Sequence, residues 1–214
     1  MRVAITGANR GIGAELASQY RAAGHNVIAT ARDSAADISL DVSEPAQFAA
    51  LRDGLGDATL DLLICNAGVY LDKGHSLEAG YAPELWAQSF AVNVTGVFLT
   101  IQTAMSALRR AQSPRIAIIS SQMASNERAP GGSYIYRASK AAVLNLGRNL
   151  AVDLRSEGVA VGIYHPGWVQ TDMGTGAADI TVEASAAGLM SEFERLSIHT
   201  TGCFRTWDGR DHPM

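Results

Sequence analysis

Short apolar runs alternate with longer segments of helical periodicity along the whole 214-residue chain. Seven runs have the length and composition of buried strands: residues 3–6, 27–30, 38–40, 62–65, 115–120, 160–164 and, more weakly, 201–204. Strands that are joined through helices pair in parallel, because each crossover carries the chain back to the same end of the sheet. The alternation therefore predicts an α/β fold, with a mostly parallel sheet of about seven strands flanked by helices.

The segments between these runs carry the spacing of amphipathic helices. In the first of them, apolar side chains recur every three or four positions, and Gly24 follows at a position that suits a left-handed helix end. The segment 32–41 is too short for a crossover helix, so a loop is predicted there. The predicted helices are residues 12–23, 86–108, 143–154 and 182–196.

Composition narrows the class of protein. With 47% hydrophobic residues and a formal net charge of -4, the chain is neither disordered nor basic enough to follow a nucleic-acid backbone. No uninterrupted apolar run approaches the roughly 18 residues that span a bilayer, and the first strand begins at once, so we expect a cytoplasmic protein without membrane contact. The two cysteines, Cys65 and Cys203, form no CxxC pair, so no metal site is predicted.

A glycine-rich turn, Gly7-Ala8-Asn9-Arg10-Gly11-Ile12-Gly13, follows the first strand and opens the first helix. Glycines let the backbone approach a pyrophosphate, and the unpaired N–H groups at a helix N-terminus favour its negative charge. The turn is interpreted as the phosphate-binding turn of a single, Rossmann-type doubly wound domain that covers residues 1–214. The alternative is that the glycines only make a tight connection between strand and helix.

The residues after the second strand indicate which dinucleotide is preferred. An acidic residue there would bind the ribose 2′-hydroxyl of NAD, whereas a guanidinium accommodates the 2′-phosphate of NADP. This chain has Arg32 at that position and a second guanidinium, Arg10, inside the glycine turn. The sequence therefore predicts a preference for NADP(H) over NAD(H). Asp33 follows directly, and it either weakens that preference or pairs with Arg32.

Tyr136 and Lys140 stand four positions apart at the head of a predicted helix, so both side chains lie on one face. An ammonium group beside a phenol favours the phenolate, and we expect it to lower the pKa of Tyr136 from about 10 toward neutrality. This makes Tyr136 a candidate general acid or base. Tyr134 has Ala138 at the equivalent position and lacks such a partner.

Two further polar residues accompany this pair. Ser121 follows the fifth strand, at the carboxyl edge of the predicted sheet, where open α/β folds bind ligands. Its hydroxyl can polarise a carbonyl group there. Asn93 is an amide inside an apolar helix, where a buried amide requires partners such as backbone groups or an ordered water. It is interpreted either as a structural cap or as the holder of a water.

Taken in order along the chain, these motifs resemble the classical short-chain dehydrogenase/reductase family. The resemblance rests on the glycine turn, Asn66-Ala67-Gly68, Asn93, Ser121, Tyr136 with Lys140, and Pro166-Gly167. The segments around Ser121, Tyr136 and Thr171 are similar, more narrowly, to the carbonyl-reductase subgroup of Sniffer and the bacterial C-signal proteins. One departure is Cys65, where many members have a further asparagine.

The resemblance implies a role for each catalytic candidate. Tyr136 would donate a proton to the substrate carbonyl oxygen, or remove it from the alcohol, while a nicotinamide transfers hydride. Lys140 would lower the pKa of Tyr136 and hold the nicotinamide ribose. Ser121 would bind the substrate oxygen. Asn93 would hold a relay water. Cofactor contacts would also come from Gly7, Asn9, Arg10, Gly11, Ile12, Gly13, Arg32, Asp41, Val42, Asn66, Ala67, Gly68, Pro166, Gly167, Val169 and Thr171.

The predicted function is that of an NADP(H)-dependent oxidoreductase that interconverts a carbonyl and an alcohol in a small-molecule substrate. Three alternatives stay open: a catalytically silent dinucleotide sensor, a signalling protein that acts through partner contact, and an enoyl-type reductase on the same fold. The complete set of four catalytic residue types argues against a pure sensor. Members of the family often associate through two long helices, which implies a homodimer or homotetramer.

Overall fold

A seven-stranded sheet forms the centre of the computed structural model, which describes residues 1–33, 36–174 and 178–214. Its strands are Arg2–Thr6 (β1), Asn26–Ala31 (β2), Ile38–Ser39 (β3), Leu62–Cys65 (β4), Arg115–Ile119 (β5), Ala160–His165 (β6) and Phe204–Thr206 (β7). They lie in the order β3-β2-β1-β4-β5-β6-β7, and all of these neighbours pair in parallel. The strand order reverses between β1 and β4, which is the position where open α/β sheets bind ligands. The predicted α/β architecture is confirmed.

Helices cover both faces of this sheet. On one face, the first and last helices pack around Tyr20 and Phe193, whereas three helices pack around Ile101 and Val143 on the other. Because both faces are covered, the strands are apolar throughout rather than alternating. The helices are Gly11–Ala22 (α1), Phe48–Leu55 (α2), Pro83–Phe90 (α3), Gly96–Leu108 (α4), Tyr134–Asp153 (α5) and Val182–Arg195 (α6).

Two details of the prediction were wrong. β7 is Phe204–Thr206 rather than 201–204, because the chain turns at residues 198–202, where Gly202 has a φ of +86°. The short helix α2 is absent from the predicted helices, although its buried residues Phe48, Leu51 and Leu55 follow each other at the helical spacings of three and four. The connection from β2 to β3 has no helix in its described residues, as predicted, although Ser34 and Ala35 of that segment lie outside the described residues.

The predicted helix 86–108 is one helical stretch, Pro83–Leu108, with a π-helical turn at Ala91–Thr95 between α3 and α4. Such turns occur frequently at functional sites. Asn93 lies in this turn and is buried. By length and composition alone the stretch is apolar enough to cross a membrane, but 56% of its most apolar window is buried inside the fold. Packing in the core of the domain accounts for that apolar character.

Candidate active site

The glycine turn lies at the carboxyl end of β1. Gly7 and Gly11 have φ angles of +65° and +53°, a region that L side chains rarely adopt. A Cβ atom on Gly13 would lie 2.3 Å from the Gly7 carbonyl oxygen and 2.4 Å from Asn66 Nδ2. The N-cap residue of α1, Arg10, makes no side-chain cap to the N–H groups of the first turn. The turn thus presents backbone donors, and its glycines leave the approach to them free of Cβ atoms, which fits a phosphate group.

A cleft of about 460 Å³ extends from this turn along the carboxyl edge of the sheet. Arg32 and Asp41 line it on the β2 side, and Tyr136 and Lys140 line it on the α5 side. The predicted site residues in its lining are Gly7, Asn9, Arg10, Gly11, Ile12, Gly13, Arg32, Asp41, Val42, Asn66, Ala67, Gly68, Tyr136, Lys140, Pro166 and Thr171. The structure therefore brings most of the predicted site residues together.

Four predicted site residues lie behind this lining. The polar ends of Asn93 and Lys140 lie close to Gly68. A Cβ atom on Gly68 would be 3.3 Å from Asn93 Oδ1 and 3.4 Å from Lys140 Nζ. Ser121 is 7% exposed, and its hydroxyl oxygen accepts a hydrogen bond from the Met123 N–H group at 3.1 Å. The other two, Gly167 and Val169, belong to the wall after β6, where Val169 is buried and Gly167 packs against Ile180 and Trp207.

Asn66 joins the end of β4 to the glycine turn. Its Nδ2 atom donates to the carbonyl oxygens of Thr6 and Gly7, both at 3.0 Å. The Thr6 hydroxyl oxygen in turn accepts hydrogen bonds from the N–H groups of Asn66 and Ala67, both at 3.1 Å. The Asn66 side chain therefore fixes the backbone at the start of the glycine turn, and Asn66 also lines the cleft.

Two guanidinium groups line the cleft near the β2 side, Arg10 and Arg32. Arg10 Nη1 forms an exposed ion pair with Asp172 Oδ2 at 2.5 Å. Asp33, which the sequence offered as a partner of Arg32, accepts a hydrogen bond from Asn9 Nδ2 at 2.6 Å. The glycine turn and the end of β2 thus each place a guanidinium beside the cleft, as a 2′-phosphate would need, and Arg10 is paired with a carboxylate.

Tyr136 and Lys140 lie side by side in the first turns of α5, both buried. Lys140 Nζ is 5.7 Å from the centroid of the Tyr136 ring and donates to the Ile119 carbonyl oxygen at 3.0 Å. Burial raises the pKa of Tyr136 to about 12, although a hydrogen bond with the Ser121 side chain acts in the opposite direction. The predicted lowering of this pKa by Lys140 was wrong, because loss of hydration on burial is the largest cause of the shift and the Lys140 ammonium group is not among its causes. Burial also lowers the pKa of Lys140 to about 8.

The Asn93 side chain is engaged at both of its polar atoms. Oδ1 accepts from the Val69 N–H group at 2.9 Å, and Nδ2 donates to the Val69 carbonyl oxygen at 2.9 Å and to Ser139 Oγ at 3.0 Å. Of the two interpretations offered by the sequence, these contacts support the structural one, since both amide hydrogens are used. A water could bind only to the second lone pair of Oδ1.

The structure adds neighbours of Tyr136 that the sequence did not single out. The Tyr70 ring stacks on the Tyr136 ring with 4.2 Å between centroids, and Met173 Sδ lies 4.0 Å from the Tyr136 hydroxyl. Asp72 accepts hydrogen bonds from backbone N–H groups of α5 across 63 and 64 sequence positions. No local pattern could reveal contacts of that range. Across the described residues, no group of three His, Cys, Asp or Glu side chains could hold a metal ion.

Known proteins share this sequence pattern and fold. A model of the short chain dehydrogenase family matches residues 1–180. C-signal from Myxococcus xanthus is 34% identical over 155 residues, which cover 72% of this chain and 92% of C-signal. The NADPH-bound carbonyl reductase from chicken fatty liver superposes with a TM-score of 0.90 at 27% identity, over 100% of this chain and 98% of that one. The carbonyl reductase Sniffer of D. melanogaster has the same fold, with a TM-score of 0.91 at 23% identity over 100% of this chain and 99% of its own. These matches confirm the resemblance, and the chain belongs to the short-chain dehydrogenase/reductase family of oxidoreductases.

Proposed function

We propose that the protein is an NADP(H)-dependent oxidoreductase that interconverts a carbonyl and an alcohol in a small-molecule substrate. The observation that carries the proposal is one continuous cleft lined by the glycine turn at one side and by Tyr136 and Lys140 at the other. The NADPH-bound chicken carbonyl reductase supports both the cofactor and the reaction class. A bound nicotinamide would supply or accept the hydride.

The lining offers a partner for each part of such a dinucleotide. The backbone of the glycine turn would hold the pyrophosphate, and Asp41 and Val42 would border the adenine. Asn66, Ala67, Gly68 and Lys140 would flank the ribose rings. Pro166 and Thr171 would form the wall at the carboxamide, with Gly167 and Val169 behind them.

The cofactor preference follows from charge. Arg10 and Arg32 would bind the 2′-phosphate, and charge-assisted hydrogen bonds from guanidinium groups to phosphate are stronger than those between neutral groups. A ribose 2′-hydroxyl carries no such charge. NADP(H) is therefore preferred over NAD(H).

Burial keeps the Tyr136 hydroxyl protonated near neutral pH. With a pKa raised to about 12 by burial, its hydroxyl holds its proton and donates it to the substrate oxygen as the carbonyl is reduced. Ser121 hydrogen-bonds the same oxygen. The protonated form of Lys140 stabilises the phenolate that remains, and Asn93, which is held between Val69 and Ser139, supports the water that returns a proton.

We further propose that residues 1–214 act as one cytoplasmic domain that forms a homodimer or homotetramer through α4 and α5. Exposed apolar side chains support this association: Phe98 on α4 is 40% exposed and Val152 on α5 is 73% exposed. Light scattering should therefore give a mass of two or four chains, and a monomer at working concentration would refute the assembly.

A second candidate function is signalling through contact with a partner, and the similarity to C-signal favours it. That function requires no turnover. The buried Tyr136 and Lys140 and the lined cleft would then serve only to bind a dinucleotide.

The deciding experiment is a titration of the purified protein with NADPH and NADH by nicotinamide fluorescence, followed by a panel of aldehydes, ketones and quinones. We expect tighter binding of NADPH and turnover of at least one carbonyl compound. Tight binding without turnover would favour the second candidate. Absence of binding would refute both functions.

A further inference from the structure

We propose that Asp72 is a positioning residue for Tyr136. Asp72 lies in the loop between β4 and α3, residues 66–82, and caps the N-terminus of α5. It thereby fixes the helical turn that carries the tyrosine. The proposal rests on the proposed function, because that function makes Tyr136 the acid and base.

The helix α5 has no cap of its own. Ser133 occupies the N-cap position with a φ of 48°, and its side chain makes no cap hydrogen bond. Among the non-glycine residues that the structure describes, Ser133 alone has a positive φ. The unpaired N–H groups of the first turn therefore need an acceptor from elsewhere.

Asp72 supplies that acceptor. Its Oδ2 atom accepts from the Ile135 N–H group at 2.9 Å, and its Oδ1 atom accepts from the Tyr136 N–H group at 3.2 Å. A carboxylate is favoured at a helix N-terminus by both hydrogen bonding and the helix dipole. Since one of the two amides belongs to Tyr136 itself, any movement of the carboxylate moves the tyrosine backbone.

Burial makes this contact rigid. Asp72 is 1% exposed, and a buried carboxylate that loses its hydrogen bonds is strongly disfavoured. Withdrawal of the loop would leave the carboxylate and two helix N–H groups without partners at once. The relative position of the loop and α5 is therefore fixed.

The same loop also holds the tyrosine ring. Tyr70 stacks on Tyr136 with an interplanar angle of 20°, and the Tyr70 hydroxyl is hydrogen-bonded to Ser133 Oγ. The loop is anchored one residue earlier, where Asn93 binds both backbone groups of Val69. Tyr136 is thus held through its backbone and through its ring by one anchored segment.

The effect of the Asp72 charge on the pKa of Tyr136 distinguishes a residue that acts on the proposed acid from one that only caps a helix. The groups that act on Tyr136 are Lys140 and Ser121, together with Tyr70 and Asp72 from the loop. Burial is the main reason that the pKa of Tyr136 is raised, and Tyr70 and Asp72 add to the rise. Removing the carboxylate charge should therefore lower this pKa, which loss of a remote helix cap would not do.

The test compares Asp72→Asn with the matched control Asp61→Asn. Asp61 also accepts a backbone hydrogen bond, from the Arg2 N–H group at 2.7 Å, but at the opposite end of the sheet. For Asp72→Asn we expect kcat to fall roughly ten- to hundredfold with the Kd for NADPH within about twofold of the wild type. The limb of the pH–rate profile that reports Tyr136 ionisation should move to lower pH. Asp61→Asn should change neither.

Loss of thermal stability in Asp72→Asn with unchanged kcat and an unmoved pH limb would overturn the proposal. If Asp72→Asn does not fold, Asp72→Ser replaces it, because serine keeps a neutral hydrogen-bond acceptor. Asp72→Ser should also move the pH limb, and an unmoved limb in this variant would overturn the proposal as well.

If the wild type reduces no carbonyl compound, the proposed function fails by itself. Hydrogen exchange at the Ile135 and Tyr136 amides then decides: faster exchange in Asp72→Asn than in Asp61→Asn upholds the positioning contact, and equal exchange refutes it.

Discussion

The two ends of the cleft are built in different ways. The end at the glycine turn is made of backbone and exposed charges: the side chains of Arg10 and Asp172 are 62% and 79% exposed. The end at α5 is made of buried side chains, since Tyr136 is 7% exposed and Lys140 is 4% exposed. One end therefore acts through solvated charges and the other through groups removed from water.

This difference separates binding from chemistry. Solvated charges bind a phosphate but are screened by salt, so that changes among them should have modest effects. Buried ionisable groups have shifted pKa values, and removal of one should have a large effect on rate or on pH dependence. Two results would contradict this contrast. One is an exposed residue whose substitution abolishes turnover, and the other is a buried residue whose substitution changes only the cofactor preference.

The largest effect is expected for Tyr136→Phe. Removal of the hydroxyl that we propose as the proton donor should lower kcat about a thousandfold and leave the Kd for NADPH within about twofold. Steady-state kinetics and fluorescence titration measure the two quantities. Tyr134→Phe is the matched control, because Tyr134 is 39% exposed and has no lysine four residues later. Substantial activity in Tyr136→Phe would show that another group is the acid.

The next effect concerns stability and pH. Because burial lowers the pKa of Lys140 from 10.5 to about 8, the unfolded chain binds a proton between these values that the folded chain does not. Stability should therefore rise with pH across this window through Lys140, by up to about 3 kcal/mol. Lys140→Met should remove the rise, as measured by urea unfolding at pH 8 and pH 10.

Lys73→Met serves as the control for that experiment, because Lys73 is exposed and binds the Met173 carbonyl oxygen at 3.1 Å. Other groups that titrate in the same range, such as Cys203, contribute equally to both variants. Identical pH dependence in Lys140→Met and Lys73→Met would contradict the burial argument.

A smaller effect is expected at the exposed end. Arg32→Ala should raise the Kd for NADPH about tenfold and leave the Kd for NADH nearly unchanged, because only NADPH carries the 2′-phosphate. Arg52→Ala is the matched control, because the Arg52 side chain is 70% exposed and lies outside the cleft. Equal losses for both dinucleotides would mean that Arg32 does not contact the 2′-phosphate.

The smallest effect is expected for Asp172→Asn. This change frees Arg10 from its exposed ion pair, so the Kd for NADPH should fall about two- to threefold at low salt. The difference should vanish at high salt, where exposed pairs are screened. A loss of NADPH affinity would show that the pair organises the cleft instead of competing with the phosphate.

The features that the sequence predicted well are those that depend on neighbouring residues. The strands follow from continuous apolar runs, and the glycine turn follows from Gly7, Gly11 and Gly13 within seven positions. The placement of Tyr136 and Lys140 on one helical face follows from their spacing of four. The weak last strand was displaced because the chain turns at residues 198–202, where Gly202 has a φ of +86°.

The features that the sequence missed depend on distance through space. Asn93 was recognised, but its binding to Val69 and Ser139 was not, because those residues lie 24 and 46 positions away. The direction of the Tyr136 pKa shift was wrong for a related reason. A helical spacing shows that an ammonium is near, but it does not show how much water the surrounding elements exclude.

The sequence by itself determined the α/β fold, the glycine turn and the identity of the candidate acid, because each depends on local periodicity or on glycine at fixed positions. The tertiary structure decided how these parts function. It buried Tyr136 and Lys140, paired Arg10 with Asp172 and brought Asp72 to the uncapped start of α5. The physical reason is that pKa values and helix capping across the fold depend on solvent exclusion and on partners far along the chain, which exist only once the sheet and its helices have packed.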